Sequence, residues 1–340
     1  SEADAIRELS RYTDSIRKKF QEFAISYNIN IITGSMPLLE NGNLYNVGFL
    51  CKRDGTYEMY RQHYGQAVRH RDPPPFAATI GVLSSTLQLL TEGATHIGVA
   101  TDHVIESFRN DLYDGYKTSE GMEPVLLEQI PIVEKALRAL GVTVWAMEKY
   151  EADDALASAV AVACEDRRVH QVRILTPDKD LGQCVSGRRV VQVDRRNNIV
   201  LDENEIRKKF GISPESIADY LALVGDSADG FPGLSGWGAK SASTVLAKYI
   251  LLDQIPDDHE QWVSDGVTVR SAEKLAKTLR ENREQAALFR TLATLVQDVP
   301  VGSVDSWKWT GATPEFADLL KEFGATHLLD RVERLKTLSQ

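Results

Sequence analysis

The sequence has few cysteines and no long apolar stretch. Its 340 residues contain three widely spaced cysteines, Cys51, Cys164 and Cys184, which suit a reducing cytosol and show no zinc-binding pattern. No apolar run approaches the roughly 18 residues that a membrane-spanning helix needs. The charged N-terminal stretch lacks the apolar core of a secretory signal. We therefore expect a cytoplasmic protein.

The chain also lacks an excess of positive charge. Its net charge of −10 argues against a protein that simply coats nucleic acid. Basic residues are nevertheless grouped locally, as phosphate binding requires, although each group also fits a solvated helix face. The groups are Arg207, Lys208 and Lys209; Lys240 and Lys248; and Lys274, Lys277, Arg280 and Arg283.

Nine carboxylates stand in five short clusters along the middle of the chain. They are Asp54; Asp102; Glu151, Asp153 and Asp154; Asp178 and Asp180; and Asp226 and Asp229. Several follow apolar runs that predict strands, such as HIGVATD and VRILTPDKD, and ligand sites gather at the strand ends of α/β sheets. Carboxylates packed together without a cation would raise each other's pKa. The pattern therefore predicts a cage for two divalent metals about 3.5–4 Å apart, an arrangement that cuts phosphodiesters.

Each cluster also has a purely structural interpretation. The EADD sequence before ALASAVAVA is typical of a helix N-cap with acidic residues in the first turn. The GDSADG sequence is typical of an ordinary turn. Their shared occurrence at the ends of predicted elements in one α/β unit favours the metal site.

The order of predicted elements indicates an α/β protein. Strands and helices alternate up to about residue 202, which predicts a mostly parallel sheet with helices on both faces, after a Pro-Pro-Pro connector at 73–75. From about residue 203 the chain is mostly helical. There Gly233, Gly236 and Gly238 form a turn that opens a helix with Lys240 in its first turn. The free N–H groups of such a helix start can hold a phosphate.

Residues from about 54 to 330 resemble the flap endonuclease family. The likeness is to the bacterial 5′→3′ exonuclease type that forms the N-terminal domain of DNA polymerase I. The matching motifs are DGTYEMYR, VATD, SFRNDLYDGYK, YEADD, TPDKDL and DYLALVGDSADGFPGLSGWGAKSA. The resemblance implies a PIN-like nuclease core followed by a helix-hairpin-helix region of the helix-three-turn-helix kind. No polymerase segment follows in this sequence, so a free-standing exonuclease is expected.

The resemblance also implies a role for each matching position. Asp54, Asp102, Glu151, Asp153 and Asp154 would hold or orient one metal, Mg²⁺ or Mn²⁺, and Asp178, Asp180, Asp226 and Asp229 a second. The stretch 103–122 would form an arch in which Arg109 and Lys117 reach the scissile phosphate, with Tyr116 between them on the DNA. The hairpin residues Gly233, Gly236, Gly238 and Lys240 would bind the duplex backbone, and a potassium ion is a further candidate ligand of the hairpin.

The N-terminal segment departs from this family. Lys52 and Arg53 precede Asp54, where aliphatic residues are expected, and residues 23–61 resemble a fragment of the nitrilase family. The domains are accordingly predicted as 1–53, atypical; 54–202, nuclease core; and 203–340, hairpin region. We favour a strand VGFLC that pairs beside the Asp102 strand and brings Asp54 to the metals. In the alternative, Asp54 and Gly55 form a hairpin turn.

The sequence therefore predicts a structure-selective 5′→3′ exonuclease or flap endonuclease, monomeric, that acts on DNA with 5′ ends or flaps. One alternative is a branched-DNA-binding protein whose catalysis is impaired because its first strand is replaced. An amidase and an RNase of the PIN class are weaker alternatives. The long hairpin match favours DNA over RNA.

Overall fold

The chain divides into two units, residues Ser1–Pro75 and Phe76–Gln340. The computed structural model describes residue 6 and residues 8–40, 43–63 and 76–338, so the Pro-Pro-Pro connector at 73–75 lies outside the described residues. The domain boundaries after residues 53 and 202 stay predictions.

The first unit is a small antiparallel sheet with one helix. Strand β3 (Asn43–Cys51) pairs antiparallel with β1 (Ile31–Ile32), β2 (Met36–Glu40) and β4 (Tyr57–His63). Alternate residues of β3 from Tyr45 to Cys51 are buried against Ala24 of helix α1 (Thr13–Ser26). The period of two that is visible in the sequence thus gives β3 one apolar face.

Asp54 and Gly55 lie in the hairpin turn between β3 and β4. The Gly55 N–H donates to the Lys52 carbonyl at 3.0 Å, and the Lys52 N–H to the Thr56 carbonyl at 2.8 Å. The prediction that VGFLC pairs beside the Asp102 strand is wrong, because β3 pairs with the strands of its own sheet. An Asp-Gly turn joins β3 to a neighbouring partner, and this local pairing wins over the distant one.

The second unit begins with an α/β region in which strands and helices alternate. Its elements are α2 (Ala77–Thr91), β5 (Gly98–Asp102), α3 (Phe108–Leu112), α4 (Pro124–Ala139), β6 (Thr143–Met147), α5 (Ala152–Glu165), β7 (Val172–Ile174), β8 (Val190–Asp194) and β9 (Ile199–Leu201). Strands β5 and β6 are parallel, as are β7 and β8, whereas β9 pairs antiparallel with β8. The predicted, mostly parallel α/β class is confirmed, although the described strands of this unit form two small sheets.

The rest of the second unit is helical, as predicted. Its helices are α6 (Glu203–Phe210), α7 (Ile217–Val224), α8 (Ala239–Tyr249), α9 (His259–Ser264), α10 (Ala272–Glu281), α11 (Arg283–Ala293), α12 (Glu315–Glu322) and α13 (Leu329–Leu338). Helix α11 packs against α7, and its fully buried Phe289 stacks on Phe231 with ring centroids 5.5 Å apart. This packing fixes the turn that follows α7, which carries two of the predicted metal ligands.

The helices in the described part of the chain are each too short or too polar to cross a membrane.

Candidate metal centre and nucleic-acid interface

Strand β5 and helix α5 bring the first group of carboxylates together. Asp102 is the last residue of β5, and its Oδ1 accepts a 2.6 Å hydrogen bond from the Ala152 N–H at the start of α5. Glu151 is the N-cap of α5, and Asp153 and Asp154 lie in its first turn. EADD is therefore a helix N-cap, as its structural interpretation predicts. The same cap places its acidic side chains beside Asp102, so the two interpretations are compatible.

The second group comes from two turns. Asp178 lies in the loop after β7, and Asp180 opens the 3₁₀ turn Asp180–Cys184. Asp226 and Asp229 lie in the turn between α7 and the glycine-rich hairpin. Carboxylate oxygens of Asp180, Asp226 and Asp229 all lie within 4.8 Å of one another, and all three residues are buried. This acidic triad is within reach of a single cation.

Electrostatic contacts join the two groups into one site, here called the carboxylate cluster. Its members are Asp102, Glu151, Asp153, Asp178, Asp180, Asp226 and Asp229. The Lys117 ammonium lies 3.0 Å from Glu151 Oε2 and 2.9 Å from Asp229 Oδ1, so it bridges the groups. Asp178 is the exposed member, whereas the triad and Glu151 are buried.

Burial and mutual repulsion perturb the protonation of the cluster. Burial, followed by the neighbouring Asp178, raises the pKa of Asp180 to about 8 and that of Asp153 to about 7. Burial also raises the pKa of Asp102 and of Asp229. Ionisation of all these carboxylates at once is unfavourable, because their negative charges repel each other. A bound divalent cation would offset that repulsion.

Two lysines supply the counter-charge in this structure. Lys117 bridges the two groups as described, and Lys179 forms an ion pair with Asp226 and lies 3.9 Å from Asp180 Oδ1. The Arg109 guanidinium adds a third positive charge, 3.5 Å from Glu151 Oε1, and seven carboxylates still outnumber these three cations. Lys179 was not among the residues predicted from the sequence, although it stands inside TPDKDL between two of them, where its spacing would have suggested it.

Arg109 takes a different role from the predicted one. Its side chain is 1% exposed, and its guanidinium donates to both carboxylate oxygens of Asp154 at 2.7 and 2.8 Å. Further bonds reach the carbonyls of Leu292 at 2.8 Å and Thr294 at 3.0 Å. A guanidinium engaged in this way cannot contact a phosphate, so the predicted phosphate contact does not fit this structure. Arg109 instead holds the Asp154 carboxylate and the backbone at the end of α11 in place.

Asp154 is likewise engaged by protein partners. Besides Arg109, it accepts hydrogen bonds from the backbone N–H groups of Val296 at 2.9 Å and Glu151 at 3.0 Å. The carboxylate is fully buried and accepts four hydrogen bonds, which leaves no free lone pair for a metal. Asp154 therefore orients the start of α5 and does not act as a direct ligand in this geometry.

Tyr116 is buried, with 4% of its surface exposed, and its hydroxyl donates to Glu151 Oε2 at 3.3 Å. Burial raises its pKa, so the phenol stays protonated and remains a donor. The predicted contact with DNA does not fit this position. Tyr116 instead holds Glu151, which also accepts a 2.8 Å hydrogen bond from the Ser107 hydroxyl.

The glycine-rich hairpin separates into a buried and an exposed part. Gly233 is buried with φ of 68°, and a Cβ there would lie 2.3 Å from the Gly225 nitrogen. Its lack of a side chain therefore serves the turn and not a ligand. Gly236, Gly238 and Lys240 are exposed, and Gly238 is the N-cap of α8. These three offer a helix start and an ammonium group to an anion.

The Asp54 carboxylate is engaged within its own turn. Its Oδ1 accepts hydrogen bonds from the Thr56 N–H at 2.9 Å and the Thr56 hydroxyl at 2.6 Å, and the side chain is exposed. These contacts are those of an ordinary Asp-initiated turn.

The donors in the cluster fit a hard divalent cation. All are carboxylate oxygens, which Mg²⁺ and Mn²⁺ prefer, and no described residue adds a thiolate or imidazole to the acidic triad. Asp180 Oδ1 is buried and accepts no hydrogen bond from any described residue. A buried acceptor that receives no hydrogen bond is costly, so it indicates a place for a cation.

Two family models match adjoining stretches of the chain. The N-terminal resolvase-like domain of 5′-3′ exonucleases matches residues 52–211, and their C-terminal SAM fold matches residues 212–315. A 5′-3′ exonuclease of Aquifex aeolicus is 34% identical over 212 residues, which cover 62% of this chain and 72% of that protein. A 5′-3′ exonuclease of Buchnera aphidicola is 30% identical over 259 residues, which cover 75% of this chain and 84% of that protein.

Longer relatives are matched over part of their length. DNA polymerase I of Bacillus caldotenax is 30% identical over 288 residues, which are 82% of this chain but 32% of that protein. The chain thus spans about a third of the length of such relatives. Among solved structures, zinc-bound T5 5′-exonuclease has a TM-score of 0.53 at 18% identity, with 79% of this chain and 96% of that chain covered. The bacteriophage T5 D15 flap endonuclease with DNA and metal ions also has a TM-score of 0.53, at 16% identity, with 79% and 95% covered. These likenesses show a shared fold.

Proposed function

Because this chain belongs to the 5′-3′ exonuclease family, we propose that it hydrolyses the phosphodiester bonds of DNA at free 5′ ends and at 5′ flaps, with divalent cations in the carboxylate cluster. The observation that carries the proposal is the buried acidic triad, in which Asp180 Oδ1 has no hydrogen-bond donor. The solved relative with DNA and metal ions supports it through the fold alone.

The metal ligands of the proposal are the members of the carboxylate cluster. Asp180, Asp226 and Asp229 would hold one cation, and Asp102, Glu151 and Asp153 a second, with Asp178 beside both groups. Mg²⁺ is the first candidate and Mn²⁺ the second. When bound, such cations supply Lewis-acid chemistry at a phosphodiester.

The two lysines of the cluster would then turn to the substrate. The Lys117 side chain is 30% exposed and that of Lys179 is 35% exposed, so neither lysine is fully enclosed by the carboxylates that it pairs with. With the carboxylates occupied by cations, the two ammonium groups would be free to stabilise negative charge that develops on phosphate oxygens. The supporting residues Arg109, Asp154 and Tyr116 keep α5 and Glu151 in place without touching the DNA.

The test is a cleavage assay on a 5′-flap duplex and on a duplex with a recessed 5′ end. We expect cleavage with Mg²⁺ or Mn²⁺ and none after EDTA treatment, with activity restored when the metal is returned. Cleavage that EDTA leaves unchanged would contradict the metal site.

A second candidate function has an observation of its own. The strand before Asp54 pairs within its own sheet, and the family match begins only at residue 52. A chain without the usual first strand could bind branched DNA through its hairpin and cleave it poorly. Tight binding of flap DNA together with no metal-dependent cleavage would favour this candidate.

Lys240 provides a prediction about DNA binding. Lys240→Ala should weaken binding similarly for every DNA sequence, because an exposed ammonium in the first turn of α8 contacts phosphate and not base edges. The slope of log affinity against log salt should become shallower by roughly one unit. The measurement is fluorescence anisotropy with Ca²⁺ in place of Mg²⁺ to suppress cleavage.

Lys248→Ala is the matched control. Lys248 is also exposed and belongs to the same helix, but it lies in the last turn, away from the free N–H groups of the helix start. Its loss should leave the slope close to that of the wild type. An equal change in both variants would show that only net charge matters.

Asp54 provides a prediction about the ligand set. Asp54→Ala should retain nearly all cleavage, because its carboxylate serves the turn before β4. Asp102→Ala, measured beside it, should lose most activity, since Asp102 ends β5 in the carboxylate cluster. Equally severe losses in the two variants would return Asp54 to the metal site.

Three finer predictions from the sequence remain proposals. A potassium ion would bind at the hairpin formed around Gly236 and Gly238, the protein would act as a monomer, and it would act in the cytoplasm. Each rests on the sequence alone.

A further inference from the structure

The loop that carries Asp178 and Asp180 is held by two glutamine side chains. Gln192 Nε2 donates to the carbonyls of Thr176, at 3.0 Å, and Asp178. Gln183 Nε2 donates to the carbonyl of Asp180 at 2.9 Å. The carbonyls of Thr176, Asp178 and Asp180, alternate residues of the TPDKD sequence, are thus held by neutral side-chain amides. Neither glutamine belongs to the sequence motifs described above.

Gln192 is an unusual residue for its position. It is 1% exposed in the middle of β8, whose sequence VVQVD is otherwise apolar up to Asp194. Its Oε1 accepts no hydrogen bond from the described residues. An apolar side chain would suit a buried strand better, because a buried amide with an unmade bond is costly. The cost is offset at one place, the hydrogen bonds to the metal-site loop.

The register of β8 explains why Gln192 reaches this loop. Gln192 lies opposite Ile174, where β7 ends and its backbone ladder stops. Beyond Ile174 the backbone of the loop no longer pairs with β8, and the Gln192 side-chain amide binds the loop carbonyls instead. The path from β7 to Asp180 is therefore tied to β8 rather than free to shift.

Gln183 ties the same loop to a second element. Besides the Asp180 carbonyl, its Nε2 donates to the Ala293 carbonyl at 3.0 Å, and its Oε1 accepts from the Leu295 N–H at 3.0 Å. The same short segment accepts from Arg109 at Leu292 and Thr294 and donates to Asp154 from Val296. The end of α11 thus links the Asp180 side of the cluster to the α5 side.

We propose that Gln183 and Gln192 are positioning residues that set the Asp178–Asp180 loop for divalent cation binding, an inference that rests on the proposed function. Their part is to hold the loop, and the cation itself would be bound by the carboxylates. Their amides hold the carbonyls of the ligand loop, so that Asp180 faces Asp226 and Asp229 before a cation arrives. Residues that orient a metal ligand are worth about 10–100-fold in metal affinity.

The experiment measures cation binding without DNA and without turnover. Isothermal titration calorimetry with Mn²⁺ on the metal-free protein should show about ten-fold weaker binding for Gln192→Met and for Gln183→Met, about 1.4 kcal/mol. The melting temperature in EDTA should stay near that of the wild type for Gln192→Met, because methionine fills the strand position without a buried amide. Gln261→Met, an exposed glutamine on α9, is the control.

The outcomes separate the inference from the function on which it rests. If the wild type binds no Mn²⁺, or binds it as well after Asp180→Asn, the proposed metal site fails. If the wild type binds Mn²⁺ through Asp180 and both glutamine variants match it, the positioning role is overturned. A lower melting temperature with unchanged Mn²⁺ affinity would also overturn it, because the glutamines would then serve the fold alone. If one variant does not fold, the other carries the test.

Discussion

Asp180→Asn should abolish metal-dependent cleavage and, at the same time, make the metal-free protein more stable above neutral pH. Asp180 is the member of the acidic triad whose buried oxygen accepts no hydrogen bond, so of the three proposed ligands it has the fewest contacts with protein donors. Because even outer partners of metal ligands are worth about 10–100-fold, loss of this ligand should cost more than about 100-fold in activity. The measurement is single-turnover cleavage of a 5′-flap substrate.

The stability part of this prediction follows from protonation. Burial raises the pKa of Asp180 to about 8 from an ordinary value of 3.8. A carboxyl with a raised folded-state pKa contributes its stability fully below the unfolded-state pKa and loses it as pH rises through the folded value. The metal-free wild type should therefore lose stability from about pH 4 to pH 8, and the asparagine variant should lose less.

Thermal melts in EDTA at pH 5 and pH 9 check the sign. The gain of Asp180→Asn over the wild type should be larger at pH 9, by about 2–4 °C for each kcal/mol. Asp318→Asn, an exposed carboxylate on α12, should change neither activity nor the pH trend. A variant that is less stable than the wild type at pH 9 would mean that the Asp180 carboxylate is satisfied by the protein alone.

Arg109→Met should destabilise the protein severely and reduce activity with it. Removal of the guanidinium leaves Asp154 buried and unpaired and the carbonyls of Leu292 and Thr294 without their donor. Breaking a buried pair of this kind costs about 3–5 kcal/mol. For a chain of this size the melting temperature should fall by roughly 10 °C. Differential scanning calorimetry measures it.

Arg168→Met is the matched control, because the Arg168 guanidinium also donates to both carboxylate oxygens of one aspartate, Asp166, but its side chain is 67% exposed. Its loss should change the melting temperature little. The double variant Arg109→Met with Asp154→Leu should recover part of the lost stability, since it removes the stranded charge as well. A melting temperature in Arg109→Met close to that of Arg168→Met would contradict the buried support.

The positions of the candidate ligands could be predicted from the sequence, and the residues that support them could not. Asp102, Asp153 and Asp180 follow strand or helix signals that lie within a few residues of them. The partner of Asp154 lies 45 residues away along the chain, and Arg109 reaches Leu292 across 183 residues. Such pairs arise from tertiary packing, on which local patterns carry no information.

The N-terminal strand shows the same limit in another form. The alternation of Val47, Phe49 and Cys51 predicts a strand with one apolar face, and β3 has such a face. Alternation does not say which strands become its neighbours, since any sheet with an apolar side would accept it. The turn residues Asp54 and Gly55 held the better information, because they favour a local hairpin.

The last turn of α11 is tied down by side chains from outside its own helix. Arg109 and Gln183 bond to the carbonyls of Leu292, Ala293 and Thr294, so this helix end cannot fray without releasing them. Their release would in turn loosen Asp154 and Asp180, which lie in separate parts of the chain. The amides at the start of α5 and those after α11 should therefore exchange with solvent in a single opening event, as one cooperative unit.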